Sequence, residues 1–112
     1  MKSSIKTSVV LALLLAALPL TALAKGDPNA GKAKSLTCQA CHGLDGKSVM
    51  PEYPNLAGQH ASYMEKALRD YRDGRRTNMI MGPMAAGLTD QDIKDLAAWY
   101  SKQEGLQDIS IK

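Results

Sequence analysis

The sequence predicts a single small domain of the all-α class. Three segments carry the caps or the 3.6-residue apolar spacing of helices, and no run alternates with the period of two that a half-buried strand needs. The stretches between them, Gly43 to Gly58 and Gly74 to Gly87, are rich in Gly, Pro and Asn and read as loops. Loops of that length in a small helical domain are usually functional, so something is expected beneath them.

Composition narrows the class further. Of 112 residues 45% are apolar, but only 4% are aromatic and none is Phe, a poor stock of large core side chains. Two Cys cannot build a multi-bridge scaffold, and a net charge of +3 is too small to point to nucleic acid. The 22% of charged residues, interleaved with patterned apolar positions, argues against disorder.

Taken in order, the first element is a targeting segment. Lys2 and Lys6 precede an apolar run from Val9 to Leu20, and Ala22-Leu23-Ala24 supplies an A-x-A site before Lys25. The uncharged stretch from Thr7 to Ala24 is nearly long enough to cross a bilayer. Pro19 and the small residues at 22 and 24 nonetheless favour a cleaved secretory signal, residues 1–24, over an anchor. The expected mature domain is 25–112, located in the periplasm with no membrane span. Removing Lys2 and Lys6 with no acid lowers the formal charge from +3 to +1. A domain this small buries only about two-thirds of its unfolded surface and usually needs a cofactor, metal or disulfide.

Asp27-Pro28 is an N-cap followed by proline at the first helical position, opening a helix towards Ser35 or Leu36. Gly31 inside it is a poor helix former and needs a reason. From Gln59 or His60 the residues Met64, Ala67, Leu68 and Tyr71 fall at i, i+3, i+4 and i+7, and Gly74 supplies the stop. In the last segment Thr89 is an N-cap with Asp92 three residues on, and Ile93, Leu96, Ala97 and Tyr100 repeat the spacing.

The chemistry lies between the first two helices. Cys38-Gln39-Ala40-Cys41-His42 is C-x-x-C-H, the attachment site for c-type haem. Two thiols form thioethers with the haem vinyl groups, and the adjacent imidazole is placed to reach the iron. A thioredoxin-like pair would need a βαβ setting, which is missing. A zinc site would need four ligands, and His60 alone leaves too few. A disulfide between cysteines three apart would close too small a loop to stabilise much. A secretory signal suits haem attachment, which in bacteria takes place outside the cytoplasm.

A second axial ligand separates electron carriage from chemistry at an open iron. Met is that ligand in electron-transfer cytochromes, and Met79, Met81 and Met84 share one Gly/Pro-flanked loop before the last helix. Spacing alone does not choose among them, and each is also suited to filling gaps against an apolar face.

From Asp27 to Gln103 the chain resembles a class I c-type cytochrome, and in particular one half of the bacterial periplasmic dihaem cytochromes and their small single-haem relatives. The matching segments are CQACHG, YPNLAGQHASY, DYRDGRRTN and MIMGPMAAGLTDQDIKDLAAWY. The resemblance implies three to four helices wrapped around one covalent haem (heme c), with the N- and C-terminal helices packed together. It places the axial Met seven residues before Leu88, at Met81, with Met79 as the rival. It also implies that the Pro54 carbonyl holds the other nitrogen of His42, that Leu56 touches the haem, and that Gly31 admits Trp99 of the last helix.

His60 reads as a surface or capping residue, and Asp90, Asp92 and Asp95 as helix surface. Arg75 and Arg76 suit either a haem propionate, a partner or a solvated helix end. The function implied is one-electron carriage, not catalysis, between partners such as a quinol-oxidising complex and a terminal oxidase or reductase. A haem peroxidase or gas-binding protein with an open sixth position is the alternative, as is a membrane-tethered haem subunit of an oxidoreductase. Intact mass of the exported protein distinguishes the last: a chain starting at Lys25 plus one haem is expected, and a membrane-bound product retaining Met1 to Ala24 would contradict it.

Overall fold

A computed structural model describes residues 24–106. The expected signal segment therefore lies outside the described residues except for Ala24. Five α-helices follow in order: α1 (Pro28–Lys34), α2 (Gln39–His42), α3 (Ala61–Arg72), α4 (Met81–Ala85) and α5 (Asp90–Ser101), with a 3₁₀ turn (Ser35–Thr37) joining α1 to α2. No strand occurs among the described residues. The sequence pointed to α1, α3 and α5. The four-residue α2 and the five-residue α4 are shorter than the length over which apolar periodicity can speak.

The predicted caps are present, with ends displaced by a residue or two: α1 stops at Lys34, short of Ser35, and α3 starts at Ala61. The Asp27 carboxylate accepts the Asn29 N–H at 2.8 Å, with Pro28 at the first helical position. Thr89 Oγ1 accepts the Asp92 N–H at 3.0 Å while Asp92 Oδ2 accepts the Thr89 N–H at 2.9 Å, a reciprocal capping box. Gly74, just beyond α3, takes φ +79°, a left-handed conformation that ends the helix at little cost only for glycine. His60 occupies the N-cap position of α3, exposed, and its side chain makes no capping bond.

α1 lies across α5, and Gly31 is the reason it can. A methyl group on Gly31 would meet the Asp95 carbonyl oxygen at 1.9 Å and Trp99 Cβ at 2.8 Å, so the two backbones touch where no side chain fits. The poor helix former is a packing requirement of the opposite helix.

Asp95, expected on the helix surface, is instead 3% exposed at this crossing. Its Oδ1 accepts the Asp27 N–H at 2.8 Å and Gln91 Nε2 at 2.8 Å, and its Oδ2 receives Lys34 Nζ at 2.6 Å. A buried carboxylate is tolerable because each oxygen is satisfied and one partner is a cation. Burial alone would push its pKa up; the Asp27 N–H, Lys34 and Gln91 outweigh that and hold it below the ordinary value of 3.8. Lys34 also binds Asp92 at 2.8 Å, and with the Thr89 cap this lowers the Asp92 carboxyl to about 2.

The packed core is small: Ala57, Met64, Ala85, Ile93, Leu96, Ala97 and Tyr100 are its buried apolar members. The Met64–Tyr71 stripe on α3, read from spacing as a buried face, does pack: Met64 joins Leu96, Ala97 and Tyr100 with Leu68 against them, and the same stripe also lines a cleft. Among the described residues no helix is long and apolar enough to cross a membrane.

A group whose folded pKa is depressed stabilises the fold above its unfolded pKa, and that contribution fades as pH falls through the folded value. Asp95→Asn should therefore lower stability at neutral pH by roughly 1–3 kcal/mol, the cost of disturbing a satisfied buried group. The gap between wild type and variant should narrow as pH drops below 3.8, measured by denaturant unfolding of the haem-loaded proteins.

Candidate functional site

The cleft opens between α2, α3, α4 and α5, with a volume of about 600 Å³ and mostly apolar walls. That falls within the roughly 300–1,000 Å³ that cofactor sites occupy. Cys38, Cys41 and His42 form one wall, Leu68 and Tyr71 of α3 another, and Met81 and Leu88 lie on the segment leading to α5.

The C-x-x-C-H segment reaches this wall through backbone geometry. The 3₁₀ turn ends on Cys38, whose carbonyl accepts the His42 N–H at 3.0 Å, so a single helical turn brings both thiols and the imidazole to the same opening. Cys38 and Cys41 are free thiols, each partly exposed. His42 is buried, and its Nδ1 donates to the Pro54 carbonyl at 2.8 Å. A carbonyl only accepts, so the proton sits on Nδ1 and Nε2 keeps its lone pair free to ligate a metal.

Pro54 is placed by contacts that motif reading missed. Asn55 Oδ1 accepts the Ser48 N–H at 2.8 Å, and Ser48 Oγ donates to the Cys41 carbonyl at 3.2 Å. The Gly46 carbonyl takes the N–H groups of Leu56 and Ala57 at 2.7 and 3.1 Å. The loop is thus tied back to the segment that carries His42. Leu56 lines the cleft and packs against Met64, Leu96, Ala97 and Tyr100.

The three methionines separate. Met81 and Met84 line the cleft; Met79 is 94% exposed and does not. The Asn78 side chain explains the division, because its Oδ1 accepts the N–H groups of both Ile80 and Met81 at 2.9 Å. This turn fixes the start of α4 and with it the backbone of Met81. An Asn just before the Met segment was the available signal, since Asx turns of this kind are what Asn favours.

The arginines separate too. Arg75 binds Asp70 at 2.8 Å and Asp73 at 3.1 Å, whereas Arg76 lines the cleft. Two buried donors, Trp99 Nε1 and the Tyr100 hydroxyl, have no hydrogen-bond partner among the described residues. Tyr100 lines the cleft close to Cys38, and burial first, then Cys38, pushes its phenol well above the ordinary pKa.

These residues fit haem c. A large, mostly apolar cleft is lined by two thiols three residues apart, by an imidazole with a free Nε2 and by a thioether. Among the described residues no group of three His, Cys, Asp or Glu side chains is placed to hold an ion.

Comparison with known proteins gives the same answer. A family model described as Cytochrome c matches residues 29–103. The chain is 54% identical over 82 residues to cytochrome c-554(548) of Halomonas halodenitrificans, covering 70% of this chain and 99% of that protein. It is 46% identical over 93 residues to cytochrome c4 of Pseudomonas aeruginosa, covering 81% of this chain and 46% of that protein. The crystal structure of reduced recombinant cytochrome c4 from Pseudomonas stutzeri superimposes with a TM-score of 0.69 at 41% identity, over 72% of this chain and 47% of that one. The chain thus spans nearly the whole of the first relative and about half the length of the two c4 proteins.

With the core so small, the Cys38→Ala, Cys41→Ala double variant should carry no covalent haem and be largely unfolded. Haem staining after denaturing electrophoresis and a far-UV circular dichroism melt check this; a cooperative, native-like melt would contradict it.

Proposed function

The chain belongs to the cytochrome c family, whose members carry electrons on covalently bound haem c, and on that premise we propose that it is an exported single-haem carrier with His42 and Met81 as axial ligands. The observation that carries this reading is the placement of His42 and Met81 on one cleft whose wall also holds Cys38 and Cys41, with Met79 turned out to solvent.

When bound, haem c supplies an iron that exchanges one electron between ferric and ferrous. The chain's contribution is to hold everything else still. Pro54 fixes the tautomer and plane of His42, and a ligand pinned through Nδ1 cannot rotate between redox states. Asn78 accepts the Met81 N–H and so fixes the backbone from which the thioether projects at the start of α4. A soft thioether ligand, which Met81 would supply alongside the His42 imidazole, would favour the ferrous form and raise the reduction potential. Leu56, Leu68 and Leu88 line the cleft, and apolar walls would act in the same direction by disfavouring the more highly charged ferric state.

Such a site suits transfer between larger redox proteins in short encounters, for which small interfaces suffice. We assign the mature domain, 25–112, to the periplasm, and its partners to a quinol-oxidising complex on one side and a terminal oxidase or reductase on the other.

Absorption spectroscopy of the purified holoprotein tests the ligand set. A low-spin spectrum with the sulfur-to-iron charge-transfer band is expected, lost in Met81→Ala and retained in Met79→Ala. A high-spin ferric spectrum in the wild type would instead support an open sixth position and peroxidase or gas-binding chemistry.

A further inference from the structure

Tyr100 stands in the last turn of α5 with its ring inside the protein and its hydroxyl bound to nothing. The residue is 3% exposed, and among the described residues no donor or acceptor meets its phenol oxygen. A buried hydroxyl without a partner is destabilising, and a Phe ring would fill the same space without it. The hydroxyl therefore points to a partner that the polypeptide does not supply on its own.

The ring is held so that it cannot turn that oxygen out to water. It belongs to a cluster with Met64, Leu96 and Ala97, against which Cys38 and Leu56 pack, and it lines the cleft. Gly46 lies against its edge, where a methyl group would meet Tyr100 Cδ1 at 2.8 Å. Gly46 is itself fixed, because its carbonyl takes the Leu56 and Ala57 N–H groups at 2.7 and 3.1 Å.

The polar side chains within reach of the phenol oxygen are those of Ser35 and Cys38, and they differ in what they have left to offer. Ser35, fully buried, gives its hydroxyl proton to the Lys32 carbonyl at 2.7 Å and takes Gln39 Nε2 at 3.3 Å. The Cys38 sulfur has only the Thr37 hydroxyl, 4.0 Å away. Addition of Cys38 to a haem vinyl group moves the thiol hydrogen onto carbon, so the thioether sulfur keeps its lone pairs and can only accept. A phenol O–H is the donor that such a sulfur lacks.

We propose that Tyr100 is a positioning residue for the attached cofactor, its hydroxyl donating a hydrogen bond to the Cys38 sulfur in the holoprotein. The inference rests on haem c being attached at Cys38. The O–H dipole then turns its positive end towards the edge of the haem inside a mostly apolar cleft, where a dipole acts more strongly than in water. It favours the form with one more electron, the ferrous, and so raises the reduction potential.

The test compares the holoproteins of wild type, Tyr100→Phe, Ser35→Ala and the double variant by spectroelectrochemistry and by denaturant unfolding. Tyr100→Phe keeps the ring and its packing. It should lower the reduction potential and shift the folding equilibrium towards the unfolded chain by roughly three- to tenfold. Both changes should persist when Tyr100→Phe is made in the Ser35→Ala background, because Ser35 is not the acceptor. A Tyr100→Phe protein at least as stable as wild type and at the same potential overturns the proposal, since the hydroxyl is then unpaired in the holoprotein. Loss of both changes in the Ser35→Ala background overturns it as well and makes Ser35 the acceptor; so does a change in stability alone, which any structural bond gives. Should Tyr100→Phe carry no haem, proton NMR of the reduced wild type decides: a slowly exchanging hydroxyl proton with cross-peaks to the Cys38 β-protons supports the contact, and cross-peaks to Ser35 alone overturn it. Intact mass showing covalent haem in each protein compared keeps failure here separate from failure of the haem reading.

Discussion

Gly31 on α1 and the Asp95 carbonyl on α5 lie so close that a single methyl would meet the oxygen at 1.9 Å, and the architecture follows from that contact. Because the helices meet backbone to backbone, Asp27 and Lys34 both reach the Asp95 carboxylate, one from each end of α1. The 3₁₀ turn then leads from α1 into the segment that brings Cys38, Cys41 and His42 to the cleft that Leu96, Ala97 and Tyr100 of α5 also line. A crossing held by side chains of ordinary size would sit further apart and move the haem-attachment segment off the cleft.

Above that crossing the chain does not fill its own interior. Among the described residues the buried apolar side chains are few: Met64 of α3 packs on Leu96, Ala97 and Tyr100 of α5, and beyond that contact the two stripes part to line the cleft. A protein interior is normally close-packed, so apolar faces left apart imply a partner of matching size. The covalent cofactor is that partner: haem c takes the place that aromatic side chains hold in other small domains, and the absence of Phe is a consequence of it.

The polar groups of the site act on position rather than on chemistry. Pro54, itself tied back through Asn55, Ser48 and Cys41, sets the His42 ring; Asn78 sets Met81; stacking on Tyr71 sets Arg76. For a carrier this is the useful arrangement. An electron moves fastest when a site need not rearrange, and both the His42 ring and the Met81 backbone are tied to fixed partners.

Much of this was legible in order along the chain, because it depends on near neighbours. The Asp27-Pro28 and Thr89–Asp92 caps, the Gly74 stop, the stripes on α3 and α5 and the C-x-x-C-H segment all act within one or two turns. The resemblance to class I cytochromes supplied the Pro54 contact and the pairing of Gly31 with the last helix, and both contacts are present. What no local pattern carried was which of several similar residues faces inward. Met79 and Met81 are alike in kind and neighbourhood, as are Arg75 and Arg76; an Asx turn at Asn78 and a reversal at Gly74 send one of each pair to the cleft and the other away. Asp95 looked like a helix-surface acid until Lys34, sixty-one positions earlier, was brought against it. Spacing along a chain sets which face of a helix a residue occupies, but only the packing of one element on another decides what that face meets.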